Sequence, residues 1–153
     1  MPDCFISYSS QDEVLAKFVE AHLRAQNVSV FMASISVKPG QNWSQEIWNN
    51  LRGSTWVIFL ASRNACRSPY VQQELGGALA TDKRLVPILW DMAPSDLPGW
   101  VNQKQALDVR GRTPQDLAAE VQKIARQIAA DKQQQVLLIA GLIALGAILL
   151  SSK

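Results

Sequence analysis

Tyr70 and Glu74 are the residues of this sequence whose types and spacing first suggest chemistry. They lie in the stretch SPYVQQEL, where Ser68 and Pro69 are typical of the cap and first position of a helix. Residues four apart on a helix lie one turn above the other, so the Glu74 carboxylate would stand beside the Tyr70 ring. A carboxylate partly shielded from water acts through a lower dielectric, and its pKa tends to rise. Such a group can stabilise a developing positive charge, which makes Glu74 a candidate catalytic residue.

The position of Glu74 on its predicted helix bears on this interpretation. The buried stripe of that helix consists of Val71, Leu75, Ala78 and Leu79. At about 100° per residue, Glu74 falls on the border of the stripe. A glutamate in the middle of a helix is ordinarily a solvated surface charge, so the pattern leaves both interpretations open.

Apolar runs of strand length recur along the chain and place these residues in a fold. The predicted strands are CFISYSS (Cys4 to Ser10), VSVF (Val28 to Phe31), TWVIFLAS (Thr55 to Ser62), RLVPILW (Arg84 to Trp90) and the weaker QALDV (Gln105 to Val109). The third is apolar throughout, as expected for a central strand covered on both faces. Pro87 in the fourth run favours a bulge or an edge position, because proline cannot donate a backbone hydrogen bond.

Helical stretches alternate with these runs. Ser10 and Glu13 have the spacing of a capping box before the first helix. The second helix is predicted from about Trp43 to Leu51, and the helix of Glu74 follows the third strand. Thr113 precedes the last helix of this alternating part, which we expect to reach about Asp131.

Strands that alternate with helices predict an α/β fold, a doubly wound five-stranded parallel sheet with helices on both faces. Ligands of such sheets bind outside the carboxyl ends of the strands. The loops after Ser7, Phe31 and Ala61 should therefore meet at one edge, and the last of them leads into the helix of Glu74.

Length, charge and composition limit the possible functions. The chain has 153 residues, which suits one domain, and its net charge of +2 with scattered basic residues gives no indication of nucleic-acid binding. Cys4, Cys66 and the single histidine, His22, form no metal-ligand pattern, so no metal site is predicted. Cys4 is interpreted as a buried thiol and His22 as a boundary residue. No secretory signal is evident, and we expect the globular part to be cytoplasmic.

The stretch VLLIAGLIALGAILL, Val136 to Leu150, has no charged or polar side chain. As a helix it would rise about 22 Å, which is short against a hydrocarbon core of about 30 Å. A helix that is apolar on every side must be covered by lipid or by protein. We interpret residues 133–153 as a short polar linker and a hydrophobic anchor helix, with a buried or oligomer-forming core helix as the alternative.

Four motifs in order resemble the Toll/interleukin-1 receptor/resistance (TIR) domain, most closely its bacterial branch. They are FISYS, VFMASISVKPGQNW (Val30 to Trp43), TWVIFLAS and SRNACRSPYVQQEL (Ser62 to Leu75). The resemblance covers roughly Asp3 to Ala130, and its strength comes from the order of the motifs. It implies a flavodoxin-like TIR fold, with residues 1–132 as the TIR domain.

The resemblance implies one of two kinds of function. Some TIR domains are scaffolds that assemble with other TIR domains. Others cleave NAD at the nicotinamide-ribose bond, as NAD glycohydrolases or ADP-ribosyl cyclases, with NAD as substrate and no resident cofactor. Glu74 matches the catalytic glutamate of these enzymes, and Tyr70 matches an aromatic position that is usually tryptophan. Ala33–Asn42 matches a loop that packs on a neighbouring protomer and can complete the active site.

Ala33 departs from the family pattern, because many relatives carry an acidic residue at this point. The role of that carboxylate would then be absent here or move to Ser34 or Ser36, which bears on the rate and the product. Tyr70 in place of tryptophan keeps a ring at the pocket.

A single carboxylate suits the cleavage of NAD that the resemblance implies. Glycosidases usually need a second carboxyl group to protonate an alcohol leaving group. Nicotinamide in NAD is already cationic and leaves as a neutral amide without a proton. What remains is an oxocarbenium-like ribose, whose charge Glu74 would stabilise.

Further residues are candidates for the same pocket. Tyr8 and Ser9 would bind the ribose or diphosphate, and Trp43 would shape the pocket from the loop side, although Tyr8 and Trp43 are equally typical of packing residues. Arg63 and Arg67 could meet the diphosphate or remain exposed loop cations.

The sequence thus favours a membrane-anchored TIR effector that hydrolyses NAD when assembled, in bacterial defence. The alternatives are an assembly module whose clustered tails disrupt membranes and a TIR–TIR scaffold. We expect self-association through TIR surfaces and the loop Ala33–Asn42, and membrane contact through Val136–Leu150.

Overall fold

The computed structural model describes residues 1–34, 44–67, 76, 83–102 and 106–152. Its strands are β1 (Cys4–Tyr8), β2 (Val30–Ser34), β3 (Trp56–Leu60), β4 (Arg84–Leu89) and β5 (Leu107–Asp108). They form one five-stranded sheet in the order β2-β1-β3-β4-β5, and every pair is parallel. The predicted α/β fold with a doubly wound parallel sheet is confirmed.

Helices cover both faces of this sheet. They are α1 (Glu13–Arg24), α2 (Gln45–Gly53), α3 (Arg63–Arg67), α4 (Gly99–Asn102) and α5 (Pro114–Ser151). Short 3₁₀ turns lie at Ser10–Asp12 and Pro94–Asp96. Because the connections are crossovers between parallel strands, the loops that follow β1, β3 and β4 all lie at the carboxyl edge.

Two apolar clusters hold the helices against the sheet. Val19 and Leu23 of α1 and Val121 and Ile128 of α5 pack on one face, while α2, α3 and α4 pack on the other. Strands β1 and β3 are buried at every residue, because alternate side chains enter the two clusters. The runs that predicted these strands are apolar because they lie between two layers of helix.

The second strand begins two residues later than predicted. Val28 belongs to the turn that ends α1, since its amide donates to Leu23 O at 3.2 Å. Asn27 in this turn has a φ of 61°, a left-handed conformation that stops a helix. The strand therefore starts at Val30.

The capping box predicted at Ser10 is also wrong. Ser10 opens a 3₁₀ turn, and α1 starts at Glu13. The start predicted for the last helix is confirmed: the Thr113 hydroxyl accepts from the Asp116 amide at 3.2 Å, with Pro114 in the first helical position.

Pro87 lies inside β4 where the sheet can accept it. The pairing of β4 with β5 begins at Ile88, and Leu89 O accepts from the Val109 amide on that side. Successive residues of a strand direct their backbone groups to opposite sides, so Pro87, two residues before Leu89, lies on the β5 side of β4 ahead of the paired residues. Strand β4 is thus an inner strand of the sheet, not the edge strand that Pro87 favoured, and the described residues of β5 pair with β4 only after this proline.

Helix α5 is the largest difference from the predicted elements. It runs without interruption for 38 residues from Pro114 to Ser151, so the helix does not end near Asp131 and the polar stretch before Val136 is helical. That stretch consists of Asp, Lys and Gln without Gly or Pro, and nothing in it stops a helix. The apolar stretch 136–150 projects beyond the domain and is exposed. By length and composition, α5 is sufficient to cross a membrane.

Candidate active site

The ends of β1 and β2 bring two of the predicted site residues together. Tyr8 is the last residue of β1, Ser34 is the last residue of β2, and the two are register partners in the sheet. Ser9 follows directly and is buried, while Ser34 is exposed. These three residues therefore lie at the carboxyl edge, where the fold predicts ligand binding.

The side chain of Tyr8 lies in the cluster beneath α1. It is 9% exposed, and burial, with a smaller effect from Glu13, raises the pKa of its phenol. Helix α3, which leads towards the Glu74 stretch, packs on the opposite face of the sheet. The geometry of Tyr8 matches the packing alternative more closely than a ligand contact.

Ser7, the residue before Tyr8 in β1, was not predicted from the sequence as a site residue. Phe5 lies two residues before Ser7 in β1, and Phe59 of β3 is the register partner of Ser7. Both phenylalanines belong to the cluster on the α3 face, so the alternation of side chains places Ser7 on that face too. The hydroxyl is buried and has no hydrogen-bond partner among the described residues. The alternation of side chains was a signal that could have identified it.

Asp12 and Trp90 connect two loops of the carboxyl edge. The indole Nε1 of Trp90 donates to Asp12 Oδ1 at 3.0 Å. Asp12 is 3% exposed, and burial raises the pKa of its carboxyl, an effect that Ser62 and Trp90 offset in part. The bond joins the turn after β1 to the residue that follows β4.

Two further hydrogen bonds join the same loops. The side-chain amide of Asn64 in α3 donates to Gln11 Oε1 in the turn after β1. The backbone amide of Arg63 donates to Asp91 Oδ1 at 3.0 Å, which ties α3 to the loop after β4. We call these bonds and the Asp12–Trp90 bond the edge frame. It holds three loops in fixed relation, which suits a preorganised site.

Helix α3 is capped within this region. The Ser62 hydroxyl accepts from the Ala65 amide at 3.2 Å, which satisfies one of the free donors of the first turn. Sequence reasoning did not identify this cap. It fixes where α3 begins relative to β3.

Arg63 and Arg67 line a cleft of about 600 Å³ beside α3. Cys66, Met92, Asp96 and Pro98 complete its lining. Both guanidinium groups are on exposed residues and face a space large enough for an anionic group. The cleft lies on the same side of the sheet as α3.

The remaining predicted site residues, Trp43, Tyr70 and Glu74, lie outside the described residues. The loop Ala33–Asn42 is described only at Ala33 and Ser34. Gly76, two residues after Glu74, is helical. The assignments of Trp43, Tyr70 and Glu74 therefore stay predictions.

His22 and Cys4 lie where packing was predicted. His22 Nδ1 is 2.9 Å from Phe18 O, and the two rings are in contact at the boundary of α1. Cys4 is fully buried, and burial raises the pKa of its thiol to about 12. Cys66 is also buried, with a pKa raised by burial to about 12. Neither thiol is in the ionised state that nucleophilic cysteines require.

Solved structures share this fold at low sequence identity. The TIR domains of the activated Roq1 resistosome are 18% identical, with a TM-score of 0.67 and coverage of 84% of this chain and 99% of theirs. The TIR domain of the Toll-related receptor TRR-2 from Hydra magnipapillata is 20% identical, with a TM-score of 0.57 over 79% of this chain and 98% of the receptor domain. A diflavin flavoprotein A3 from Nostoc sp. is 13% identical, with a TM-score of 0.59 and coverage of 88% and 99%. The last similarity reflects the flavodoxin-like architecture.

A curated relative is similar in sequence over part of its length. The probable 2' cyclic ADP-D-ribose synthase BdTIR of Brachypodium distachyon is 27% identical over 97 residues, which make up 62% of this chain and 43% of the relative. The chain thus spans less than half of that protein. The TIR domain family model matches residues 4–131, which include the whole sheet and the Glu74 motif. The chain belongs to the TIR domain family.

Proposed function

We propose that this chain cleaves NAD at the nicotinamide-ribose bond, with Glu74 as the catalytic carboxylate. The observation that carries the proposal is the Tyr70–Glu74 motif within a region that matches the TIR family throughout. The similarity to a protein named as a probable cyclic ADP-D-ribose synthase supports NAD chemistry for this chain.

The proposed reaction needs electrostatic stabilisation more than acid catalysis. The C1'–N bond of the nicotinamide ribose breaks, and its electron pair neutralises the pyridinium nitrogen as nicotinamide leaves. Positive charge develops on the ribose, where the Glu74 carboxylate opposes it. Water, or a hydroxyl group of the ADP-ribose itself, then bonds to C1' and loses a proton, giving a linear or a cyclic product.

The edge frame supports this chemistry because a charged partner is effective only when it does not reorganise. Asp12 and Trp90 hold the loop after β1, and Arg63 and Asp91 hold the start of α3. We propose that Ser9, which is buried, and Ser34, which is exposed, lie at the same edge and form hydrogen bonds with the ribose hydroxyls. Tyr8 supports this edge by packing beneath α1.

The cleft beside α3 supports a site for the diphosphate of NAD. Arg63 and Arg67 supply cations on one helix, and the cleft of about 600 Å³ is within the usual range of ligand pockets. Guanidinium groups bind phosphate oxygens through bidentate hydrogen bonds. Tyr70 and Trp43 would contact the nicotinamide end.

Assembly is the proposed switch for activity. The Roq1 TIR domains belong to an assembled resistosome, and we infer that copies of this chain also associate through TIR surfaces and the loop Ala33–Asn42. A site completed by a neighbour is incomplete in an isolated chain, so activity should rise with local concentration. The alanine at position 33 would then leave Ser34 to supply the polar contact at this edge.

The exposed half of α5 supports a location at a membrane. Residues 136–150 are apolar on every side and project from a folded domain that does not cover them. Lipid covers such a surface. We therefore propose a TIR domain on the cytoplasmic side of a membrane, anchored by α5 and acting in defence when many copies cluster.

The same exposed helix favours a second candidate function. A TIR assembly without NAD cleavage could gather the apolar helices and disrupt the membrane. The absence of an acidic residue at Ala33 is consistent with this alternative. It predicts toxicity that depends on residues 136–150 and not on Glu74.

An experiment in cells distinguishes these functions. NAD concentration and membrane permeability are followed after induction of the intact chain, Glu74→Gln, and a chain with Ile139→Lys and Ile143→Lys. NAD cleavage predicts that NAD falls with the intact chain and stays constant with Glu74→Gln at equal protein level. Membrane leakage that is the same for the intact chain and Glu74→Gln, with constant NAD in both, would instead establish the second function.

A further inference from the structure

Helix α5 is bound to the sheet at the edge opposite the candidate site. We call this the amino edge, because β1, β3 and β4 begin there with Cys4, Trp56 and Arg84. Helix α5 starts after β5 at the carboxyl edge and packs along one face through Val121 and Ile128. It therefore crosses the whole height of the sheet before it leaves the domain.

Ionic and polar contacts fix the point at which α5 leaves. Asp131 Oδ2 accepts from Trp56 Nε1 at 2.9 Å and pairs with the Arg84 guanidinium at 3.1 Å. The next residue, Lys132, pairs with Asp3 Oδ2 at 3.1 Å. Five residues at the amino edge or in α5 thus form this network, and the helix continues unbroken past it.

The spacing between this network and the apolar stretch is short. Val136 follows Lys132 by four residues, which is about 6 Å along a helix. The headgroup layer on each side of a bilayer is about 5 to 8 Å thick. With Val136 at the hydrocarbon boundary, the amino edge lies at the level of the headgroups.

The shortness of the apolar stretch strengthens this contact. Residues 136–150 rise about 22 Å, whereas the hydrocarbon core is about 30 Å thick. A span shorter than the core thins the bilayer locally or draws its flanking residues towards the interface. Either adjustment presses the amino edge against lipid headgroups.

The amino edge carries cations that have no acidic partner among the residues the structure describes. Lys83 Nζ donates to the carbonyls of Arg52 and Ser54 at 3.0 and 2.7 Å, and the Arg52 guanidinium lies 5.9 Å from the Trp48 ring. Two acidic groups that the structure describes here, Asp3 and Asp131, are already paired with Lys132 and Arg84. Among the described residues of this edge, the unpaired charge is therefore positive, which complements anionic headgroups.

We propose that the amino edge is a docking surface for the anionic headgroups of a lipid bilayer, and that α5 holds the domain upright upon it. The inference rests on the membrane location given under the proposed function. The carboxyl edge then faces away from the lipid. Pro114 and Lys132 are 18 residues apart on α5, so that edge stands about 27 Å above the headgroups. Neighbouring copies are held in the same orientation, with every candidate site pointing to the aqueous side.

Two matched glutamines allow a direct test with the full-length chain. Gln26 is exposed in the turn after α1 at the amino edge, and Gln115 is exposed in the first turn of α5 at the carboxyl edge. Gln26→Cys and Gln115→Cys are each labelled with a thiol-reactive fluorophore. Cys4 and Cys66 are buried thiols of high pKa, so the introduced thiols react selectively.

The labelled chains are reconstituted into vesicles of phosphatidylcholine and phosphatidylglycerol that contain a lipid with a nitroxide on its headgroup. The proposal predicts strong quenching of the Gln26 label and almost none of the Gln115 label. Equal quenching at both positions, stronger quenching at Gln115, or failure of the full chain to join the vesicles would each overturn it.

A charge-reversal arm tests the preference for anionic lipid. Arg52→Glu with Lys83→Glu should lower the quenching of the Gln26 label by roughly twofold, as should vesicles of phosphatidylcholine alone. The control Arg110→Glu with Arg112→Glu, at the carboxyl edge, should leave it unchanged. If quenching of the Gln26 label changed neither with lipid charge nor with the Arg52→Glu and Lys83→Glu substitutions, the assignment of the amino edge to anionic headgroups would be overturned. No NAD is present, so this failure is separate from failure of the proposed reaction.

Discussion

The indole N–H of Trp90 donates to the Asp12 carboxylate at 3.0 Å, although 78 residues separate the two in the chain. This bond joins the loops after β1 and β4, and the Asn64–Gln11 and Arg63–Asp91 bonds bring α3 into the same frame. The candidate site of this TIR domain is thus built on loops held by their side chains at the carboxyl edge.

Removal of the Trp90 donor should destabilise the domain. Trp90→Phe keeps most of the apolar ring but leaves the buried Asp12 carboxylate without its indole partner. Hydrogen bonds to charged groups contribute about 1.5 to 3 kcal/mol, so we expect a loss of that size in the free energy of unfolding at neutral pH. Urea denaturation measures it. Val14→Ala, at an exposed residue of α1, is the control, and equal stability of Trp90→Phe and the control would contradict the frame.

Asp3 and Asp12 should contribute to stability with opposite dependence on pH. Burial alone would raise the pKa of Asp3, but hydrogen bonds from Ser29 and the contact with Lys132 together lower it. The Asp3 carboxylate therefore stabilises the fold above the ordinary aspartate pKa of about 3.9, and this contribution is lost as pH falls through the lower folded pKa. For Asp12 the folded pKa is raised, so its contribution is present at low pH and is lost as pH rises through that pKa.

The two asparagine variants separate these effects. The loss of unfolding free energy in Asp3→Asn should grow as pH rises from strongly acidic to neutral. Over the same rise, the unfolding free energy of Asp12→Asn should increase relative to that of the original chain. Denaturation at a series of pH values measures both differences. Parallel profiles for the two variants would show that one of the assignments is wrong.

Ser7 and Ser62 provide a matched pair of buried hydroxyls. Ser62 caps α3 through the Ala65 amide, so Ser62→Ala should cost about 1 kcal/mol of unfolding free energy. Ser7 has no such partner among the described residues, so Ser7→Ala should keep the stability within about 0.5 kcal/mol or increase it. Thermal unfolding compares them. If Ser7→Ala instead lost about 1 kcal/mol or more of unfolding free energy, the Ser7 hydroxyl would make a hydrogen bond that stabilises the fold.

Charges in the exposed half of α5 should abolish membrane association without unfolding the domain. Ile139 and Ile143 lie in the apolar stretch, are exposed, and belong to neither apolar cluster of the described residues. Insertion of each lysine at the centre of a membrane helix costs about 2.5 to 3.5 kcal/mol. The chain with Ile139→Lys and Ile143→Lys should therefore no longer float with the vesicles. Gln133→Lys with Gln134→Lys, in the polar turn before the stretch, should still float. Flotation of the isoleucine variant would favour a protein partner as the cover of this helix.

Patterns within single elements made most of the fold predictable. The runs Cys4–Tyr8 and Trp56–Leu60 are apolar because each strand lies between two layers of helix, and Thr113 with Pro114 marked the start of α5. The end of α5 was not predictable in the same way. A polar stretch resembles a linker in composition, but Lys132 to Gln135 are good helix formers, and Asp131 and Lys132 are bound at the start of the strands.

The site was less predictable because it depends on tertiary contacts. No local pattern connects Asp12 with Trp90, or Arg63 with Asp91, since each pair becomes adjacent only when the loops meet at one edge. Tyr8 was correctly placed at that edge, yet its side chain enters the α1 cluster and Ser7 faces the α3 side. Which face of β1 serves the site is set by the path of the crossovers.

The release of nicotinamide from NAD by the purified full-length chain tests the central claim most directly. The chain is clustered on vesicles and compared with Glu74→Gln, while Glu46→Gln, at an exposed glutamate in the first turn of α2, serves as the matched control. Loss of the catalytic charge should lower the rate by about two to three powers of ten, and the control should match the original chain. Equal nicotinamide release by the original chain and by Glu74→Gln would contradict the assignment of Glu74 as the catalytic carboxylate.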